Sequence, residues 1–449
     1  MDAPTTLAEP WRATRRSVLH RSTAFFSEHP VWGVFLLAIA IRFGVAIGIA
    51  IVHPRNIAPD GIEYAALAAA KATGHTGGWG SYEHFLYHAT LTLLLPLTWL
   101  YELFGAHQLV GQLFVALLGA GTAAIVTRLA MEALPRRWSL AAGLIVALLP
   151  TQIVWSSLIL KDASVWILLA GLALTVAVAG RSRGPRLIVL GLVAAVLMVL
   201  LGYLREYTLV IAAWALMLAV FVGPRTQRLP QIAGAVVIGV LIPWTVFGMG
   251  PAGLTYVKGS PAPSDIRSGM AVDAQSAIPG ASSSGSSVGA DIRYLPQGVL
   301  VMLFQPYPWQ TTGSTYLKAA RADAIIWYPL LLLALLGLFG LRMRELRVMA
   351  FPLLAGGATL ISYALVEGNL GTAFRHRGEF EWVVALLASF GLWRLARWRA
   401  QRGHLASEAG SGPGDRDAVA NGAGDQSVAN RDPEPTASHM MSSARPRTD

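Results

Sequence analysis

Cysteine is absent from the 449 residues. The chain therefore has no disulfide framework, no thiol nucleophile and no thiolate metal site, and its redox compartment leaves no mark. Charge is scarce as well. Asp, Glu, Lys and Arg make up 13% of the chain and hydrophobic residues 54%, against roughly 25% charged in soluble domains. A water-facing surface needs more charge than that, so lipid is the main solvent. Ionisable residues are almost missing from the long apolar runs, where Arg42 is nearly the only one away from an end. Carriers usually place charges or broken helices near the bilayer midplane, and this scarcity argues against one. A secretory leader is not evident either: no small-residue cleavage site follows the first apolar run, which begins near Val31 and reads as a retained helix. No internal repeat stands out.

What is present is a series of apolar stretches of bilayer-spanning length. They cover 31–52, 108–131, 139–155, 163–180, 187–203, 207–223, 230–249, 324–341, 348–366 and 380–397. The expected fold is all-α, a polytopic membrane protein of about ten transmembrane helices. A further run, 85–104, contains Pro96 and has His84, His88 and Glu102 at its ends. Net charge is +10, yet the arginines sit in short clusters between apolar runs, as topology signals do, and imply no nucleic acid. If 85–104 lies at the interface and does not cross, every tight cluster falls on the side of Arg12, Arg15, Arg16 and Arg21. These clusters are Arg136–Arg137, Arg181–Arg186, Arg225–Arg228, Arg342–Arg347 and Arg394–Arg402. Were it to cross, the later loops would flip and the bias would vanish.

The organisation expected is then a cytoplasmic segment 1–30, a transmembrane module 31–249 with a first outer loop 53–107, an outer loop 250–323, closing helices 324–397 and a tail 398–449. Both termini are expected in the cytoplasm of a multi-pass cell-membrane protein. The stretch 259–290, rich in Ser, Gly, Ala and Pro, is expected to be mobile, and the polar tail to be disordered.

The polar groups collect at the outer ends. Asp60 follows Pro59 and opens the stretch Asp60-Gly61-Ile62-Glu63-Tyr64; Asp162 follows Lys161 and opens the next span. Each carboxylate suits a helix cap or a general base or metal ligand fixed at the membrane surface. Candidate cations are Lys161, Arg205 and the triplet Arg375-His376-Arg377, in a short glycine-bearing loop read as a flexible phosphate clamp or as a headgroup contact. Arg205-Glu206 also reads as a local ion pair, and Arg42 as a partner for a buried carboxylate or part of an anion site. His84 and His88, four apart, share a helix face usable for a divalent metal or act as interfacial residues beside tyrosines. The aromatics of Gln305-Pro306-Tyr307-Pro308-Trp309-Gln310 read as headgroup anchors.

Several pieces together resemble a family. An outer first loop starts with Asp60, an interfacial helix ends in Leu103-Phe104-Gly105, and a helix with Pro150 rises to Lys161-Asp162. Over roughly residues 30–215 this order resembles the GT-C-fold glycosyltransferases that use lipid-linked sugars, especially the protein O-mannosyltransferase and lipid A aminoarabinose transferase branch. The resemblance implies reaction-centre roles for Asp60 and Asp162. It also implies a polyprenyl-phosphate sugar as donor and a glycan, lipid or protein of the cell envelope as acceptor. The chain departs from the family at Gly61, where Glu is common, with Glu63 nearby. It departs again at Tyr82-Glu83-His84-Phe85-Leu86-Tyr87-His88, where the family has Lys-Pro. These departures bear on metal use and phosphate binding. Three other functions remain open on sequence: a polysaccharide polymerase or ligase, a lipid-linked-glycan flippase or exporter, and a non-catalytic scaffold.

Overall fold

A computed structural model describes residue 26 and residues 28–52, 58–222, 229–272, 274, 276–281, 287–310 and 315–410. The expectations for the N-terminal segment before residue 26, for 282–286 and for the tail beyond 410 lie outside the described residues. Within them the protein is helical, with no strand and a single isolated bridge between Ala277 and Asn369. Six helices among the described residues are long and apolar enough to cross a membrane, which makes the chain a polytopic membrane protein.

The first helix long and apolar enough to cross, α1 (Pro30–Val52), is followed, in the segment expected as the first outer loop, by α2 (Pro59–Ala72), α3 (Ser81–Ala89) and α4 (Leu91–Phe104). Pro59 sits at the first turn of α2, where its missing N–H costs nothing. The run 85–104 is not one interfacial helix: it breaks at Thr90, whose hydroxyl turns back to the Leu86 carbonyl at 2.6 Å. Gly105, at φ 84°, ends α4.

Next come α5 (Gln108–Ala130), α6 (Arg136–Leu148), α7 (Pro150–Trp155) and α8 (Asp162–Ala179). The expected span 139–155 is broken at Leu149, which is extended as residues before proline tend to be. Pro150 has no N–H for the Val146 carbonyl. Arg42 supplies the missing donors: its Nη2 reaches the Val146 carbonyl and its Nη1 the Ala147 carbonyl, each at 3.0 Å, while its Nε reaches Ser156 Oγ at 2.8 Å. The buried arginine of α1 thus caps the broken helix and pins α7, which leads to Lys161-Asp162. These bonds go to carbonyls and a hydroxyl, where the sequence left a carboxylate partner or an anion site open. Helix α5 runs through the centre on small residues such as Gly111, Gly119, Ala120 and Ala123, which let α1, α6 and α8 approach closely.

The chain continues with α9 (Pro185–Gly202), α10 (Glu206–Ala219) and α11 (Leu229–Leu241), the last prolonged by a π-turn from Ile242 to Val246 around Pro243. The segment expected as an outer loop, 250–323, carries α12 (Leu254–Gly259), α13 (Pro263–Val272) and α14 (Val288–Phe304), and α15 (Thr315–Phe339) starts inside it. Last are α16 (Met343–Val366), α17 (Leu370–His376) and α18 (Gly378–Gly410). The short loop expected to be flexible is instead the ordered helix α17. Asn369 caps it by accepting the Gly371 N–H at 2.9 Å, and the backbone at 276–278 pairs with 368–370 through Ile278 N–H to Gly368 and Leu370 N–H to Ser276, both 2.8 Å.

Candidate active site

Four elements deliver polar side chains to one place: the start of α2, the turn before α8, the start of α10 and the helix α17. Helix α2 reaches the turn because residue 61 is glycine. A Cβ there would stand 2.9 Å from the Ile159 carbonyl oxygen, a backbone atom with little room to yield. Gly61, a departure from the family pattern, is therefore what allows Asp60 to approach Lys161-Asp162; a glutamate at that position would push the two apart.

Arg375 joins the two acids. Its Nη1 donates to Asp60 Oδ2 and its Nε to Asp162 Oδ2, each at 2.8 Å. Arg205 Nη2 donates to the other Asp162 oxygen at 2.7 Å. Neither acid stands at the N-cap of its helix, a position held by Ala58 in α2 and Lys161 in α8. The two differ in access: Asp162 is 0% exposed, Asp60 is 48% exposed and Arg375 is 13% exposed. Asp162 thus holds two guanidinium groups in place from within, while Asp60 stands at the mouth. Lys161 lies beside this array. Burial, followed by the positive charge of Arg205, pushes its ammonium down to about 8, against the pull of Asp162. Tyr64, one turn along α2 from Asp60, is buried, and burial raises its phenol above the ordinary tyrosine value with Asp60 adding to the effect.

Behind Arg205 lies a layer that the sequence reading did not assign. Arg205 Nη1 donates to the Tyr363 hydroxyl at 2.7 Å and pairs with Glu379; Tyr363 donates to Glu379 at 2.6 Å, and Tyr207 meets Tyr363 at 2.8 Å. Arg205 therefore pairs across the fold, with Asp162 and Glu379; Glu206, its neighbour in sequence, is exposed. The signal for Glu379 was available: an acid at the very start of an otherwise apolar span needs a cation, and Arg205 is one at an equivalent depth.

The triplet Arg375-His376-Arg377 divides. His376 points its Nδ1 at Glu367 and stacks on the Tyr363 ring, centroids 4.4 Å apart and 14° from parallel. Burial lowers its pKa and outweighs the opposite pull of the Glu367 carboxylate. Arg377 turns to a separate buried group. It donates to Asp323 at 2.5 Å and to Glu381 at 3.2 Å, with its guanidinium over Trp327 and Phe374 at 4.7 and 4.6 Å. Helical geometry separates the three, because successive residues of a helix point about 100° apart. Glu63 does not join the array but lies by Tyr82, whose phenol it holds above the usual value.

The residues do not fit a divalent metal. No group of three or more His, Asp or Glu side chains able to hold one occurs among the described residues. The carboxylates of Asp60 and Asp162 are already bridged by the Arg375 guanidinium. His84 and His88 are both exposed; His84 Nδ1 bonds the Gly80 carbonyl at 2.9 Å and its ring abuts Trp79, while His88 abuts Tyr87.

Among known proteins, no family model matches the chain and no curated protein matches it. Among solved structures it is similar to an archaeal oligosaccharyltransferase, AglB from Archaeoglobus fulgidus, in complex with an inhibitory peptide and a dolichol-phosphate. The TM-score is 0.51 at 14% identity, over 85% of this chain and 52% of that one. The chain thus spans about half the length of that structure and shares with it a fold of the GT-C kind.

Proposed function

We propose that the protein is a membrane glycosyltransferase that moves a sugar from a polyprenyl-phosphate donor to an acceptor hydroxyl of the cell envelope, at the outer face of the membrane. The observation that carries this reading is the alternating array Asp60–Arg375–Asp162–Arg205, exposed at one end and sealed at the other. The fold shared with an oligosaccharyltransferase supports it.

Each charge in the array has a task. The donor phosphate approaches Arg375 and Lys161 and competes with Asp60 for the guanidinium. That exchange releases the Asp60 carboxylate as the cations are engaged. The acceptor oxygen then attacks the anomeric carbon, the bond from that carbon to the phosphate oxygen breaks, and the acceptor proton passes to Asp60. The phosphate departs with the bonding electron pair, and Arg375 and Lys161 hold its charge. Asp162 keeps its charge throughout: it is buried between Arg205 and Arg375 and orients both. Glu63, His376 and Arg377 support the region around this array and do not contact the reacting atoms.

The test is purified protein in detergent with a panel of polyprenyl-phosphate sugars and release of polyprenyl phosphate as the readout. Asp60→Asn keeps shape and hydrogen-bond acceptance but takes no proton near neutral pH, so turnover should fall by roughly 10²-fold or more with donor binding retained. Normal turnover in that variant would remove Asp60 from the chemistry. Movement of intact donor across vesicles without release would favour a flippase.

A further inference from the structure

We propose that an anionic phospholipid of the leaflet opposite the active site binds between α8, α9 and α11, with an acyl chain in an apolar cavity and its phosphate on arginines at the cavity mouth. The cavity has a volume of about 280 Å³ and is lined by side chains that include Val176, Leu187, Ile188, Ala194, Ala235 and Ile238. It lies at the far end of α8 from Asp162. Eighteen residues at 1.5 Å each put the two ends about 27 Å apart, close to the roughly 30 Å of a bilayer's hydrocarbon core. Nothing lies within 4 Å of a Cβ built on Gly191 or Gly234, two of the lining residues, so the walls are open there.

The charge at the mouth is the second, independent observation. Arg181 follows the lining residue Gly180, and Arg186 precedes the lining residue Leu187. Arg128 and Arg181 both pair with Glu132. The Arg347 side chain comes within 3.8 Å of a Cβ position on Gly180. Burial, then the charges of Arg128, Arg347, Arg186 and Arg344, lower the Arg181 pKa. Glu132 is 3% exposed and already serves two of these arginines, which are themselves 45% and 52% exposed. The next acid, Glu345, is engaged by Arg394 at 2.8 Å. The cluster thus carries an excess of positive charge beside an apolar cavity. A soluble phosphate has no use for the cavity, and an uncharged lipid none for the arginines. A phosphate-bearing lipid matches both.

The experiment is native mass spectrometry of the full chain after delipidation, with phosphatidylglycerol, phosphatidylcholine, a polyprenyl phosphate and inorganic phosphate as probes. Phosphatidylglycerol should be retained in preference to phosphatidylcholine. Arg181→Gln and Arg347→Gln should each weaken it by roughly fivefold, as expected for one basic contact at a membrane surface. Gly191→Leu and Gly234→Leu fill the cavity while raising helix propensity, and should remove the adduct with the size-exclusion profile unchanged. Equal retention of the two phospholipids would overturn the proposal. So would displacement by inorganic phosphate, or a loss confined to the arginine variants, since both reduce the site to a surface contact. A polyprenyl phosphate that outcompetes phosphatidylglycerol and is itself excluded by the leucine substitutions would replace the proposed occupant.

Discussion

Arg375 and Arg377 are two residues apart, yet they do different work, and substitution should separate them. Arg375→Ala takes away a partly accessible cation facing two carboxylates. Donor binding should weaken by about 1.5–3 kcal/mol, the scale of a hydrogen bond to a charged group, with the fold retained. Arg377→Ala leaves Asp323 and Glu381 facing each other in a dry interior, a loss that costs about 3–5 kcal/mol when one partner of a buried pair goes. It should therefore lower Tm sharply, and donor affinity in the surviving folded fraction should be near normal. Equal donor-binding defects in both variants, with equal Tm, would contradict this division. Lys161 gives a pH prediction. Its ammonium titrates near 8, so it is charged below that pH and loses its charge above it. Donor KM should rise as pH passes upward through about 8, and Lys161→Met should start from a higher KM and lose that step. The sequence showed the cations but not all their partners: Asp323 comes to Arg377 and Tyr363 to Arg205 from distant segments, and pairing across a fold leaves no periodic trace along the chain.

At the scale of elements, much of the helical pattern is legible, because each long apolar run has one solvent to satisfy. The breaks are harder. Pro150 signals one, but the reason it is tolerated is Arg42, more than a hundred residues earlier, which serves the orphaned carbonyls of α6. Glycines around α17 are compatible with a flexible loop on sequence, but Gly368, two residues before the helix, has no room for a Cβ beside the Arg267 carbonyl and serves close packing. Gly61 follows the same logic and is testable. Gly61→Ala must displace either α2 or the turn at Ile159, and Gly61→Glu more so; overpacking of this kind costs about 1–3 kcal/mol. Turnover should fall in the order glycine, alanine, glutamate, and by a larger factor than the stability loss alone explains, because the displaced contact lies beside Asp60 and Asp162. Full activity in Gly61→Glu would show that the contact of α2 with the turn is dispensable.

At the scale of the molecule, the two ends of the bundle have opposite chemistry. The connections that carry Arg128, Arg181, Arg186, Arg344 and Arg347 converge at one end of α8, and the acid–cation array occupies the other. The sequence predicted this one-sidedness from cluster positions alone, since each crossing reverses the side on which the next loop emerges. The same rule carries the direction of insertion that we propose, with the arginine end in the cytoplasm and the array facing outward. That proposal requires crossings beyond the six helices that qualify by length and composition among the described residues. The absence of cysteine makes the test free of background. Single cysteines at His75, Arg137 and Arg183, all exposed, sample the outer loop and two of the arginine-bearing connections. In intact cells an impermeant thiol reagent should label the cysteine at 75 and leave those at 137 and 183 unlabelled until the membrane is opened. The reverse pattern would invert the protein and move the donor to the cytoplasmic leaflet. Labelling of 75 and 137 together would require an even number of crossings between them, and would make α4 a transmembrane helix beside α5.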